Sequence, residues 1–477
     1  MELSDLDATA AAELVRARAV SPRELVDSAI ARIERHNPEL GAVVTPLYDE
    51  ARASLPTLPP GPFHGVPILI KDLLATVAGA PYAGGVPALK RAGYRPPHDS
   101  YLVTALRRAG FVLVGKSNTS ELGIVPSCEP PCWPPARNPY DLTRTTGGSS
   151  GGAAGAVAAG LVPIAHASDG GGSIRIPASC CGLFGLKPSR GRVSLGPDFG
   201  DISGGLVAEL VVTRSVRDAA ALLDLLGGMA PGDPYTAPAP TRPFAHEVGA
   251  RVERLRIGFA TAHLGVDGAL VESHPDCVAA VAEAADRLRQ LGHRVEPAEP
   301  PTVRDPEWVS RFIALWTTTV VTNLDEIADG LGRPIEDGDV DVLTMALYRL
   351  GQMITTSGYT RAWQWIHRAS RHMATFWDTY DLWLTPTVTT PPPRLGAFAS
   401  TADDPLAGIM AAGDFAPFTA VFNATGQPAA SLPLFKNADG LPVGVQLAAA
   451  YGREDLLLRV AAQLEAQQPF AHTATRR

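Results

Sequence analysis

The chain has 477 residues, long enough to bury a large core, and its 45% apolar and 19% charged residues exclude a disordered or fibrous chain. A formal net charge of −8 at pH 7 disfavours a nucleic-acid partner, since phosphate contacts need a basic face, and fits simple solubility. The five cysteines are odd in number and irregular in spacing, which argues against a disulfide framework. Cys128 and Cys132 sit at C-x3-C with no second pair at zinc-ligand spacing, so no metal is expected.

The N-terminal Met1-Glu2-Leu3-Ser4-Asp5 has neither the basic start nor the apolar run of a secretory signal. Nowhere do about 18 apolar residues follow one another, so no membrane span and a cytoplasmic location are expected. Asp7 can cap a helix over residues 8–16. Ser21-Pro22-Arg23-Glu24 reads as a capping box with proline at the first helical position, opening a helix that Asn37-Pro38 should end. After a Pro/Gly-rich loop at 55–65, Val66-Pro67-Ile68-Leu69-Ile70 predicts a buried strand ending in Lys71-Asp72.

The alternation continues with a helix at 100–109, a strand at 111–114, a small-residue helix at 153–159 and a strand at 161–165. Helices alternating with uninterrupted apolar strands predict an α/β fold, a large, mixed and mostly parallel sheet covered by helices. Further on, 255–259 predicts a strand, Pro275 opens a helix that Gly292 closes, and 306–330 and 340–380 predict long helices. Strands are expected at 382–384, 431–434 and 443–447, before a closing helix near 455–465. Pro and Gly concentrate at 225–250, which predicts a surface crossover.

Two clusters carry the chemistry: Gly147-Gly148-Ser149-Ser150-Gly151-Gly152 and Ser168-Asp169-Gly170-Gly171-Gly172-Ser173-Ile174-Arg175. The first lacks the Gly-Lys-Ser/Thr of a phosphate loop and follows no buried strand, which disfavours a dinucleotide turn. The second can present bare N–H groups to an oxyanion, or be a plain turn. A serine nucleophile needs a base. His166 lies in or beside a strand, where packing is the common fate, and Gly-x-Ser-x-Gly is absent around Ser173. Lys71 ends an apolar run, so burial can lower its pKa and free it to take a proton. It can equally be a strand-end lysine paired with Asp72.

Taken together, the motifs resemble the amidase signature family of serine hydrolases. The resemblance rests on Gly65-Val66-Pro67-Ile68-Leu69-Ile70-Lys71-Asp72, on Gly147–Gly152 as spelled above, on Asp169-Gly170-Gly171-Gly172-Ser173-Ile174-Arg175-Ile176-Pro177-Ala178 and on Gly182-Leu183-Phe184-Gly185-Leu186-Lys187-Pro188. Weaker echoes stand at Leu384-Thr385-Pro386-Thr387, Asn423-Ala424-Thr425-Gly426-Gln427-Pro428-Ala429 and Gly440-Leu441-Pro442-Val443-Gly444-Val445-Gln446. The resemblance implies an α/β/α sandwich and one amidase domain over 1–477: an N-terminal helical segment to about 60, a signature core over about 61–215, and sheet and pocket helices beyond.

It further implies a Ser–cisSer–Lys triad. Ser173 would be the nucleophile, Ser149 the bridging serine on a cis peptide bond, and Lys71 the base. The N–H groups of Gly170, Gly171, Gly172 and Ser173 would form the oxyanion hole, supported by Ser168, Asp169 and Arg175. By family analogy, Gly123, Ile124 and Val125, within the stretch to Cys128, would wall the substrate pocket. Helices after 305 would add Trp308, Phe312, Trp316 and Trp365, aromatics that can equally be core. The implied activity is hydrolysis of aryl amides, anilides, oligoamides or carbamates, with some esterase activity, without metal or organic cofactor; homodimers are frequent in the family.

The chain departs from the family pattern in places. Gly170 stands where threonine or isoleucine is usual, Thr146 where proline often precedes Gly-Gly-Ser-Ser, and Ile176 where amidotransferase A subunits commonly have glutamine. The 169–185 run looks most like the nylon-oligomer (cyclic-dimer) hydrolase branch. An amidotransferase A-type subunit is disfavoured by Ile176 and by the lack of a basic face, and a non-catalytic scaffold by the joint presence of Lys71, Ser149 and Ser173.

Overall fold

A computed structural model of the chain describes residues 2–265, 267–470 and 474; Met1, Val266, 471–473 and 475–477 of the expected 1–477 span lie outside the described residues. Asp7 caps the helix α1 (Ala8–Arg16) by accepting from the Ala10 N–H. Ser21 and Glu24 form the expected capping box of α2 (Pro22–Leu40). That helix continues past Asn37-Pro38. The missing N–H of Pro38 falls in its last turn, and Gly41 closes it in the left-handed region at φ 60°. The Asn37 side chain instead bonds both backbone groups of Val43, steering the chain into a strand within the segment expected to be helical.

The main sheet is built from β1 (Val43–Pro46), β2 (Pro67–Lys71), β3 (Val112–Ser117), β4 (Ile164–Asp169), β5 (Phe184–Lys187), β6 (Ala208–Thr213), β7 (Arg256–Phe259), β8 (Arg294–Pro297), β9 (Leu382–Pro386), β10 (Ala429–Lys436) and β11 (Pro442–Ala449). Among the described residues its order is β1-β3-β2-β4-β6-β5-β10-β11-β9-β7-β8. The large, mixed, helix-flanked sheet is the one the sequence implied. Its parallel pairs are β2 with β3 and β4, and β7 with β8 and β9. The remaining neighbours are antiparallel and occupy the centre and the β1 edge. Continuous apolar strands report burial on both faces, and here the antiparallel strands β6 and β11 are as fully buried as β2.

Two elements bring the glycine-serine clusters together. The helix α3 (Gly151–Ala158) carries nothing larger than valine and is buried on every side. The helix α4 (Arg175–Cys181) leaves the end of β4 after one short loop. Residues 340–380 are two helices, α6 (Val342–Gln352) and α7 (Thr356–Ala374), beside the long α5 (Glu307–Leu331). Their break falls at Met353-Ile354-Thr355, where Thr355 caps α7 by accepting from the Gly358 N–H. Last come α8 (Ala407–Phe415), α9 (Ala420–Thr425) and the closing α10 (Glu454–Gln467). Among the described residues no helix is long and apolar enough to cross a membrane.

A buried ion pair ties α10 to the loop after β5. Glu454 receives Arg192 at 3.0 and 3.1 Å and the Ser189 N–H at 2.9 Å. Replacing Glu454 with alanine leaves a buried guanidinium unpaired. The expected cost is about 3–5 kcal/mol, read as a lower urea midpoint at unchanged m-value.

Candidate active site

Lys71 ends β2, where the strand lies beside β4, and its side chain is fully buried. Its Nζ lies 2.7 Å from Ser149 Oγ and 2.8 Å from Ser168 Oγ. Burial pushes its pKa from 10.5 down to about 7, against the opposing pull of Cys128, Glu209 and Asp169. The alternative partner, Asp72, is taken by Lys116 at 2.5 Å. His166 is packed in the sheet: its Nδ1 accepts the Lys71 N–H at 3.3 Å and its Nε2 lies 3.2 Å from Glu209 Oε1.

The Gly148–Ser149 peptide bond is cis. The two clusters meet through Ser150, a residue the sequence reading did not single out. Its hydroxyl donates to the Ser168 carbonyl at 3.1 Å and accepts the Ser168 N–H at 3.3 Å, while its N–H donates to the Ser173 carbonyl at 3.4 Å. Ser173 sits between β4 and α4, 8% exposed, and opens into a cavity.

The loop is held by Asp169 and Arg175, both fully buried. Arg175 reaches the carboxylate in a two-bond fork at 2.8 and 2.9 Å. Burial alone would raise the Asp169 pKa; the Arg175 charge and hydrogen bonds outweigh it and hold the group at about 2. Asp169 also takes the Gly172 N–H at 2.7 Å. One of the N–H groups expected to face the oxyanion is thus engaged by Asp169. Among the described residues no protein acceptor takes the N–H of Gly170, Gly171 or Ser173. Gly172 serves by conformation: its φ is 135°, and a Cβ there would lie 2.5 Å from Thr419 Oγ1 and 2.6 Å from Ile176 Cδ1.

The second layer comes from the far end of the chain. Arg175 donates to the Thr419 carbonyl, Asn423 Oδ1 and Gln446 Oε1 at 2.7–2.9 Å. Thr419 Oγ1 donates to the Gly171 carbonyl at 2.6 Å, and Asn423 Nδ2 to the Asp169 carbonyl at 2.8 Å. Asn423 and Gln446 were visible only as faint motif echoes, and Thr419 carried no signal.

The cavity has a volume of about 180 Å³, and Gly123, Ile124 and Val125 line it as expected, with Trp308, Phe312 and Trp316. Trp365 packs edge-on against Trp308 at 5.0 Å and Cys128 is fully buried; neither is among the lining residues. The sequence reading missed His263, Trp383, Ile409 and Phe418, which also face the cavity. They come from four separate elements, and α8, apolar on most faces, shows no stripe to betray its inward side. Among the described residues no group of three or more His, Cys, Asp or Glu side chains could hold a metal ion.

The site thus holds a buried lysine beside the Ser149 hydroxyl and, separately, Ser173 at the mouth of an apolar cavity. The chain belongs to the amidase signature family, matching the amidase family over residues 24–458, and it is an amide hydrolase. It is 41% identical over 472 residues to the 6-aminohexanoate-cyclic-dimer hydrolase of Pseudomonas sp. (strain NK87), covering 97% of this chain and 95% of that protein. It superposes on the solved structure of a 6-aminohexanoate cyclic dimer hydrolase complexed with substrate with a TM-score of 0.94, at 40% identity over 100% of this chain and 99% of the other. A bacterial aryl acylamidase of the amidase signature family superposes with a TM-score of 0.88, at 28% identity and 99% coverage of each chain.

Proposed function

We propose that residues 1–477 act as one amidase domain that hydrolyses small amides, with carbamates and esters as further substrates, through Lys71, Ser149 and Ser173. The observation that carries this reading is the buried Lys71 Nζ, 2.7 Å from Ser149 Oγ, with its pKa near 7. Neutral Lys71 holds one lone pair toward the Ser149 hydroxyl and gives an N–H to Ser168. The Ser173 hydroxyl passes its proton to Ser149 as its oxygen bonds to the carbonyl carbon. Ser149 passes its own proton to Lys71.

The N–H groups of Gly170, Gly171 and Ser173 receive the oxyanion. When the carbon–nitrogen bond breaks, the proton returns through Ser149 to the leaving nitrogen. Water then attacks the acyl-Ser173 ester by the same route and releases the acid. Ser168, Asp169 and Arg175 support the loop, and Gly123, Ile124 and Val125 border the substrate. The unpaired cysteines fit work in a reducing compartment such as the cytoplasm.

A fluorophosphonate probe is expected to label the wild-type chain and not Ser173→Ala. A panel of anilides, oligoamides and carbamates at alkaline pH, with Ser173→Ala as blank, tests the activity. A wild-type chain that takes no label and cleaves no amide or ester would end this reading.

A further inference from the structure

The loop bearing Ser173 is roofed by aromatic rings. A Cβ built on Gly170 would lie 3.3 Å from both Cη2 and Cζ3 of Trp316, and one built on Gly171 would lie 3.4 Å from Cζ of Phe312. Phe312 and Trp316, one helical turn apart on α5, stack with centroids 5.3 Å apart and planes 22° apart. Two bare glycines therefore let two stacked rings rest on the backbone that carries the candidate nucleophile.

Among the described residues three buried polar atoms of the wall have no hydrogen-bond partner, Trp316 Nε1, His263 Nδ1 and Arg304 Nε, and the other polar groups named next are engaged. Trp308 Nε1 donates to the Thr302 carbonyl at 2.6 Å, and Trp383 Nε1 to the Ala298 carbonyl at 3.1 Å. Glu299 and Arg304 neutralise each other at 2.7 Å, and Asp305 Oδ1 accepts the Glu307 N–H at 3.0 Å. His263 meets Phe418 edge-on at 5.6 Å. Such a wall rewards a flat apolar body and penalises an unpaired charge.

We propose that Gly170 and Trp316 form a specificity-determining pair, in which Trp316, seated on the side-chain-free loop, is the shelf for a planar, uncharged aryl group next to the scissile bond. The substrate class is then aryl amides or aryl carbamates rather than charged linear oligoamides. This rests on the acyl-transfer reading of Ser173. Any side chain at position 170 would start from a Cβ already 3.3 Å from the Trp316 ring, so the glycine and the indole are complementary choices. Gly170 has no positive φ, so alanine fits its backbone and presses mainly on the ring, with Val207 Cγ2 in ordinary contact at 3.4 Å.

The test is the ratio of kcat/KM for an anilide over the cyclohexylamide of the same acid, measured on the full chain. The two leaving groups differ in planarity at similar size, and their intrinsic reactivities cancel between variants. Trp316→Ala is expected to lower the ratio about tenfold. Gly170→Ala should move it the same way, and Trp316→Phe, which keeps a ring, should hold it within roughly threefold. A Trp316→Ala ratio within roughly threefold of wild type would overturn the pair. Fluorophosphonate labelling of each variant reports fold and nucleophile separately. A wild type that labels while the ratio stays put sinks this inference alone; one that neither labels nor hydrolyses sinks the acyl-transfer reading beneath it.

Discussion

Lys71→Met is expected to lower kcat/KM for an amide by about 10²–10⁴-fold, the range for losing a positioned general base. The pH profile makes the test specific. Burial holds Lys71 at about 7, and only its neutral form can take the proton relayed by Ser149. Wild-type kcat/KM should therefore fall as the pH drops below about 7 and level off above it. In Lys71→Met that limb should vanish, because the titrating group is gone. A variant that keeps both the rate and the limb would remove Lys71 from the mechanism, and a wild-type optimum near pH 5 would do the same.

Arg175→Met is expected to damage both stability and chemistry. Arg175 and Asp169 are buried together, and removing one member of such a pair costs about 3–5 kcal/mol because the other charge is stranded. The sign of the acid dependence follows from the depressed Asp169 pKa. Its carboxylate contributes stability above the ordinary value of 3.8, and the contribution is lost as the pH falls toward about 2. The wild type should thus lose stability through that window, and Arg175→Met should show a lower urea midpoint with the window flattened. Below its own melting temperature the variant should also label slowly with fluorophosphonate, since the Gly172 N–H and the Ser173 loop share the Asp169 anchor. Wild-type labelling in a folded Arg175→Met would mean that the loop holds its shape without the pair.

The parts of the site that could be read from the sequence are those whose chemistry is local. Lys71 at the end of an apolar run, and serines among glycines at 149 and 173, stand out from a few neighbours, while the roles expected of them came from the family resemblance. His166 was legible as a packed histidine for the same reason. What escaped depends on contacts between distant positions. Thr419, Asn423 and Gln446 meet Arg175 across 244 to 271 residues of chain, and nothing in their own neighbourhoods announces it. The Gly172 N–H escaped for a subtler reason: composition shows that the backbone is bare, but not which acceptor a given N–H will find. In the fold, burial was legible and strand direction was not, because β6 and β11 are buried on both faces yet pair antiparallel.

The reach of Arg175 toward Thr419, Asn423 and Gln446 has a consequence for how the chain comes into being. During synthesis the segment with Lys71, Ser149 and Ser173 leaves the ribosome first. The groups that clamp the Ser173 loop lie on α9, on the turn before it and on β11, far along the chain. Until Gln446 has emerged, a nascent chain holds all three side chains without the clamp. Hydrolytic competence should therefore arrive late, only after Gln446 has emerged, and a fragment released before that point should be inert toward its surroundings.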